Sequence, residues 1–367
     1  MQRSERIPIS ERFGPTRCKM EICGQVPSIN LRFHQMEAFQ PLTVRCNLSQ
    51  NPISPEHLGS NMFILGMGFV GRFFASDLKS RGWAVSGSCT SVAKKNELEE
   101  MGYASHVFDA NDPRPEILEI VKNHTHLVVS IPPVAGVGDP MLRDKEFVEN
   151  ILKDGRLQWL VYLSTTSVYG DCGGAWVDEE YPIRTTSERM IDRLSAEEEW
   201  LSLGCNLGIA AHVFRLGGIY GPGRSAIDTI LKQKPLSFSQ KTRMYKNYTS
   251  RIHVADVCQA LNASVLRPSP GKIYNIVDDD PAPRMEVFEY AQDLVEEKFS
   301  GHGEQYVSIE RDESLVKRLG SRGEKRVSNS RMKKELEVKL LHPTFRSGLR
   351  AIIDDMDLSV LQKPTGS

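Results

Sequence analysis

The run Asn61-Met-Phe-Ile-Leu-Gly66-Met-Gly68-Phe-Val-Gly71 leaves this chain few folds to choose from. A short apolar strand ends in glycines spaced G-x-G-x-x-G and passes at once into an amphipathic stretch, the pattern of the first strand-to-helix turn in an open parallel α/β sheet. Gly66 allows the tight turn, Gly68 removes a side chain where a pyrophosphate must approach the backbone, and Gly71 lets helix and strand pack closely. The helix beginning at Phe69 and Val70 then offers its free N–H groups to the anion. A P-loop is excluded, because Arg72 and Phe73 stand where that loop needs Lys and Ser or Thr.

From Asn61 onward, short apolar runs alternate with amphipathic segments, as expected for a parallel sheet covered by helices. Strands are predicted at 62–65, 84–88, 105–108, 127–130, 159–164, 211–216 and 272–277. Helices are predicted at 72–81, 92–101 and 187–203, closed by Gly82, Gly102 and Gly204. Right-handed crossovers between these strands give a doubly wound sheet, with ligands gathering beyond the carboxyl ends of the strands. Ser130, at the end of the fourth strand, belongs to that edge.

The second strand decides the form of the dinucleotide. A site for NAD(H) usually ends this strand with an acid that binds the ribose 2′-hydroxyl. Here the chain reads Ser88-Cys89-Thr90-Ser91, and Lys94 and Lys95 follow. Hydroxyls and ammonium groups suit a 2′-phosphate, so NADP(H) is favoured over NAD(H), with Thr90 and Lys94 as contacts. Asp109, after the third strand, is either an adenine contact or a turn residue, given Asn111, Asp112 and Pro113 beside it.

Composition removes other classes. Lys plus Arg number 46 against 47 Asp plus Glu, a net charge of −1, which argues against a general polyanion binder. No stretch is apolar over the length a membrane-spanning helix needs. Cys18, Cys23, Cys46, Cys89, Cys172, Cys205 and Cys258 are scattered and never form C-x-x-C, so neither a disulfide framework nor a zinc ribbon is expected, and no histidine has metal-ligand partners. The first 56 residues hold seven Lys or Arg and five Glu, and no Asp precedes Asp77. A basic, acid-poor start of this kind reads as an organelle transit peptide or as a disordered extension.

Five further segments bear a family pattern. They are Leu163-Ser-Thr-Thr-Ser-Val-Tyr-Gly-Asp171, Trp176-Val-Asp-Glu-Glu-Tyr-Pro182, Phe214-Arg-Leu-Gly-Gly-Ile-Tyr-Gly-Pro-Gly223, Arg251-Ile-His-Val-Ala-Asp-Val257 and Tyr274-Asn-Ile-Val-Asp278. Over about residues 61 to 355 the chain resembles the extended short-chain dehydrogenase/reductases, the NAD(P)-dependent epimerase/dehydratase family. The glycine spacing and Gly170-Asp-Cys-Gly-Gly-Ala-Trp-Val-Asp178 are most similar to its atypical YeeZ-like branch. The resemblance implies a Rossmann domain over 61–221, completed by about 251–278, and a smaller C-terminal substrate lobe from 222–250 and 279–355. Residues 1–60 are then the leader and 356–367 a tail. With the basic leader, it implies a plant plastid member, located in the stroma; cytoplasmic and mitochondrial locations are the alternatives.

The resemblance also implies a catalytic set, which this chain carries incompletely. Thr165 matches the Ser or Thr that orients the substrate oxygen; a strand-end hydroxyl satisfying backbone is the plainer reading. The family's Tyr and the Lys four residues later align with Arg189 and Arg193. A guanidinium donates hydrogen bonds but does not exchange a proton at neutral pH; the plainer reading is two solvated arginines pairing with Glu188, Asp192 or Glu197. The residues after Thr165 are Thr166 and Ser167 rather than acids, so dehydration of a sugar nucleotide is disfavoured. Arg215, Arg224 and Arg251 would line the substrate side and suit a phosphate or other anion, with surface pairing as the alternative. The expected function is an oxidoreductase or epimerase acting on a small anionic or nucleotide-linked substrate. The alternative is a non-catalytic dinucleotide-sensing scaffold or an RNA-associated protein, drawing on the basic run from Lys317 to Lys334, which Glu324 interrupts.

Overall fold

Apolar runs make buried strands here. In β1 (Asn61–Leu65), β4 (His126–Val129), β5 (Trp159–Thr165) and β7 (Ala210–Leu216) nearly every residue is buried, as in a parallel sheet covered on both faces. The computed structural model describes residues 60–232, 244, 246–299 and 324–356. These residues belong to one compact unit. The leader up to residue 59 and the tail from 357 lie outside them, as do Lys317, Arg318 and Arg322 of the basic run.

With β2 (Ala84–Cys89), β3 (Ala104–Val107) and β10 (Lys272–Ile276), these strands form a seven-stranded sheet in the order β10-β7-β5-β4-β1-β2-β3, and every pair is parallel. The predicted doubly wound α/β fold is therefore the observed one. The strand order reverses at β1 and β4, which puts the ligand crevice beyond their carboxyl ends.

Helices cover both faces. On one, α1 (Phe69–Ser80), α2 (Val92–Glu100) and α7 (Val254–Leu266) bury Phe74, Leu78, Leu98, Val257 and Leu261. On the other, α3 (Glu116–Lys122), α4 (Lys145–Leu152) and α5 (Glu188–Leu207) bury Val121, Leu152, Trp200 and Leu201. Gly204 does not close α5 as expected. A Cβ there would stand 2.3 Å from that of Ala211, so this glycine serves close packing on β7. The stop is Gly208, whose φ of 69° is the left-handed cap conformation.

A separate apolar cluster joins α6 (Ala226–Leu231), α8 (Arg284–Phe299) and α10 (Phe345–Asp354) through Ile227, Ile230, Phe288, Leu294, Phe345 and Ile352. Residues 330–338, expected with this lobe, pack elsewhere: Met332 of α9 (Ser330–Glu335), Leu336 and Val338 join the core of the main sheet. Two short parallel pairs complete the frame, β8 (Gly218–Tyr220) with β9 (Arg251–His253) and β6 (Trp176–Val177) with β11 (Arg326–Val327).

Candidate functional site

The glycine loop is built by backbone. Gly66 has φ +103°, and a Cβ on it would meet Ile131 Cγ2 at 2.9 Å; its N–H donates to Ser88 Oγ at 3.0 Å. A Cβ on Gly71 would stand 2.7 Å from the Gly66 carbonyl oxygen, so the helix lies against the turn. Gly68 is different: its φ of −83° is open to any residue, and no heavy atom lies within 4 Å of a Cβ built there. The space it leaves opens at the N-terminus of α1, where no side chain caps the N–H groups. That cradle fits a dinucleotide pyrophosphate. Phe69 and Val70 form the first turn, and Ser130 continues β4 beside the loop by donating its N–H to the Leu65 carbonyl at 2.9 Å.

Beyond β2, Thr90 and Lys94 are brought together on an exposed surface. Lys94 Nζ donates to Thr90 Oγ1 at 3.2 Å, and Ser91 caps α2. Arg72, in the first turns of α1, pairs with Glu97 of α2 at 2.6 Å. Asp109 is exposed, and its Oδ1 accepts from the Asn111 N–H at 2.9 Å, which is the turn role that its neighbours suggested.

At the end of β5, Thr165 is partly exposed and Oγ1 accepts from the Ser167 N–H at 3.2 Å, capping the 3₁₀ turn Thr166–Tyr169. Helix α5 carries the two arginines that replace the family's Tyr and Lys. Arg189 is exposed. Arg193 folds back on β5, donating to the Leu163 carbonyl at 3.2 Å and to Tyr162 Oη at 3.4 Å.

Arg215 needs correcting most. It does not line a substrate cleft: it is 3% exposed and pairs at 2.7 Å with Glu197 of α5, itself 2% exposed. Burial works against the guanidinium charge, but Glu197 and Tyr169 outweigh it and raise the Arg215 pKa. Arg215 also donates to Tyr169 Oη at 3.0 Å, Tyr169 donates to Asn275 Oδ1 at 2.8 Å, and the Asn275 N–H donates to Glu179 Oε1 at 2.7 Å. Ser164, beside Thr165, donates to Glu197. Burial pushes the Tyr169 hydroxyl up to about 12, so it is a framework group rather than an acid. In sequence Glu197 is a candidate partner of Arg189 or Arg193, not of Arg215; an acid among the apolar positions of α5 was the signal of its burial.

Arg251 is also buried, donating to the carbonyls of Asp280 and Ala282 and to Thr249, which ties β9 to residues 249 and 280–282. Arg224 is the exposed one of the three. The turn from Gly221 holds it over the Phe69 ring at 5.2 Å, next to the glycine loop.

Two adjoining cavities open near this edge. One, of about 730 Å³, is lined by Arg224, Arg251, Ser225 and the apolar side chains Phe288, Phe345 and Leu349. The other, of about 250 Å³, is lined by Thr165, Ser167, Tyr248, Lys246, Arg284 and Lys325 among others. Tyr248 was not anticipated, because it lies far along the chain from the Y-x-x-x-K position. No group of three or more His, Cys, Asp or Glu suited to a metal occurs among the described residues.

An open doubly wound sheet, a glycine loop free of side chains and a strand-end hydroxyl on the same edge define a nicotinamide-dinucleotide-binding protein of the oxidoreductase and epimerase class. Residues 62–277 match the model of the NAD dependent epimerase/dehydratase family, and the chain belongs to that family. It is 31% identical over 228 residues to the protein YeeZ of Escherichia coli K12, an alignment covering 58% of this chain and 76% of that protein. Among solved structures, it is similar to a functionally unknown conserved protein from Silicibacter pomeroyi DSS, with TM-score 0.62, 31% identity, and 81% and 99% of the two chains covered. UDP-glucuronic acid 4-epimerase from Bacillus cereus, in complex with NAD, shares the fold at TM-score 0.60 and 17% identity, over 80% of this chain and 96% of that one.

Proposed function

We propose that this protein is an NADP(H)-dependent oxidoreductase acting on a small anionic carbonyl or carbinol compound. One observation carries the reading: the unblocked glycine loop after β1 and Thr165 at the end of β5 share one sheet edge, with only β4 between them. Two strand spacings are about 10 Å, which a dinucleotide held at the loop bridges easily. A bound nicotinamide supplies or takes the hydride. The chain itself binds the pyrophosphate through α1 and orients the reacting oxygen with Thr165 Oγ1. Tyr248, on the wall of the same cavity, gives up the proton to that oxygen during reduction and takes it back during oxidation.

The preference for the 2′-phosphate rests on Thr90 with Lys94 at the end of β2, where no carboxylate repels it. Fluorescence titration tests it: NADPH should bind at least about tenfold more tightly than NADH, a difference of about 1.4 kcal/mol, and equal or reversed affinities would refute it. For the chemistry, Thr165→Val and Tyr248→Phe should each abolish most NADPH oxidation across a panel of small carbonyl acids while leaving NADPH affinity intact. Turnover that survives both changes would remove these residues from the mechanism.

The non-catalytic and RNA-associated readings receive less support. Arg331 pairs with Glu180 at 2.5 Å and Lys333 with Asp279 at 2.6 Å, so these members of the basic run already have acidic partners. The basic, acid-poor leader supports a plastid address. Terminal sequencing of protein isolated from plastids checks it, and an intact Met1 would count against cleavage.

A further inference from the structure

The dinucleotide cradle after β1 has no cation of its own. From Gly66 to Gly71 every residue is glycine or apolar, and Arg72, the first basic residue of α1, is turned to Glu97 at 2.6 Å. A helix N-terminus offers the equivalent of roughly half a positive charge, whereas a dinucleotide pyrophosphate is a dianion. Arg224 stands beside this cradle. Its guanidinium lies 5.2 Å from the centre of the Phe69 ring, and Phe69 follows Gly68 directly, at the edge of the space that Gly68 leaves open. A tight turn sets the position. The Gly221 N–H donates to the Arg224 carbonyl at 3.1 Å and the Arg224 N–H to the Gly221 carbonyl at 3.0 Å, with Gly223 between them at φ +78°. A Cβ on Gly221 would meet Val254 Cγ1 at 2.6 Å and Phe69 Cζ at 3.3 Å, so a side chain there would push the turn off the ring. A cation attracted to a ring face keeps its N–H donors for another acceptor. Among the described residues no carboxylate pairs with Arg224, and Asp228, on α6, accepts instead from Ser225 Oγ at 2.5 Å.

We propose that Arg224 is a clasp on the dinucleotide pyrophosphate, closing it against α1 from the side of the lobe. The inference rests on the dinucleotide site after β1 and moves Arg224 from the substrate to the cofactor. Arginine suits the task, because its planar fork meets two phosphate oxygens at once and its weak hydration lets it lie on an aromatic face. The turn that carries it leads straight into α6, whose Ile227 and Ile230 belong to the core of the lobe. Binding of the dinucleotide therefore ties the lobe to the sheet before any substrate arrives. Arg224 also lines the larger cavity, where holding a substrate anion is the competing role.

Fluorescence titration of the full chain with NADPH, NADH and ADP-ribose, in the absence of substrate, tests the clasp. Arg224→Met should weaken all three by a common factor of at least about ten, because the pyrophosphate is common to them and ADP-ribose lacks the nicotinamide. Sodium chloride should erode NADPH affinity less in Arg224→Met than in the unmodified protein, since one charge contact is gone. Arg350→Met, which removes a surface charge paired with Glu297, should leave all three affinities unchanged. Because Arg224 is exposed, Arg224→Met should fold with the unmodified Tm, and Arg224→Gln repeats the titrations if it does not. Hydrogen exchange reads the tie to the lobe: saturating NADPH should slow exchange over residues 225–231 in the unmodified protein and not in Arg224→Met. Unchanged affinities in Arg224→Met would overturn the proposal and return the arginine to the substrate side. So would a loss confined to NADPH, which would assign the residue to the 2′-phosphate, and so would slowing over 225–231 that is equal in both proteins. Failure of the unmodified protein to bind any of the three would instead refute the dinucleotide site itself, and the clasp with it.

Discussion

The two ends of the sheet edge are built by opposite means. After β1, the site is main chain: a turn, free N–H groups and the absence of a side chain at Gly68. After β5, side chains from distant segments interlock, with Ser164, Glu197, Arg215, Tyr169, Asn275 and Glu179 linked beneath Thr165. A backbone cradle tolerates wide variation around it, provided its glycines remain. In the side-chain array, α5 is held against β5 and β7 by the buried Glu197 network together with Arg193, which donates to the Leu163 carbonyl, while Arg189 is exposed. Thus the backbone cradle after β1 and the side-chain array after β5 are separable parts of this fold.

The contrast predicts its own ways of failing. The largest effect should come from Arg215→Met, which leaves the Glu197 carboxylate buried without its partner; urea unfolding should show a loss of about 3–5 kcal/mol. Adding Glu197→Leu to Arg215→Met should recover much of that, since no lone charge remains. If the single change costs less than about 1 kcal/mol, the site after β5 does not depend on the pair. Gly71→Ala comes next: its methyl group meets the Gly66 carbonyl, and about 1–3 kcal/mol of stability should go together with dinucleotide affinity.

Gly68→Val separates the two properties more sharply. No heavy atom opposes the new side chain in the free protein, so stability should change by less than about 1 kcal/mol. NADPH affinity should fall at least about tenfold by fluorescence titration. A variant that binds normally would mean that the pyrophosphate lies elsewhere.

The last effect is one of pH. Asp278, where β10 leads into the lobe, is 2% exposed, and burial pushes its carboxyl up to about 8 against the attraction of Arg251. A carboxyl raised in the fold above its unfolded value near 3.8 stabilises the protein in full below about pH 4 and loses that contribution as pH rises through about 8. Thermal unfolding from pH 6 to 9 should therefore show a falling Tm in the unmodified protein and a flatter profile in Asp278→Asn. Parallel profiles would assign the slope to another group.

Much of this was legible along the chain. The seven strands of the main sheet, their parallel arrangement and the glycine loop follow from local patterns: a buried parallel strand must be apolar on both faces, and the tight turn and close helix packing at Gly66 and Gly71 require glycine. The family segments carried the likeness from Leu163 to Asp278 for the same reason, since they are contiguous. Side-chain partnership is not contiguous. Arg215 reads the same in sequence whether it faces a substrate or a buried glutamate, and Gly204 the same whether it ends a helix or admits a neighbouring strand. Lys246, Tyr248, Arg284 and Lys325 meet Thr165 only because separate crossovers bring their segments to one edge. Local geometry determined the sheet and its phosphate loop from sequence alone; which charges are buried against a partner, as Arg215 is against Glu197, was decided by tertiary packing, because electrostatic interaction depends on distance through space rather than on separation along the chain.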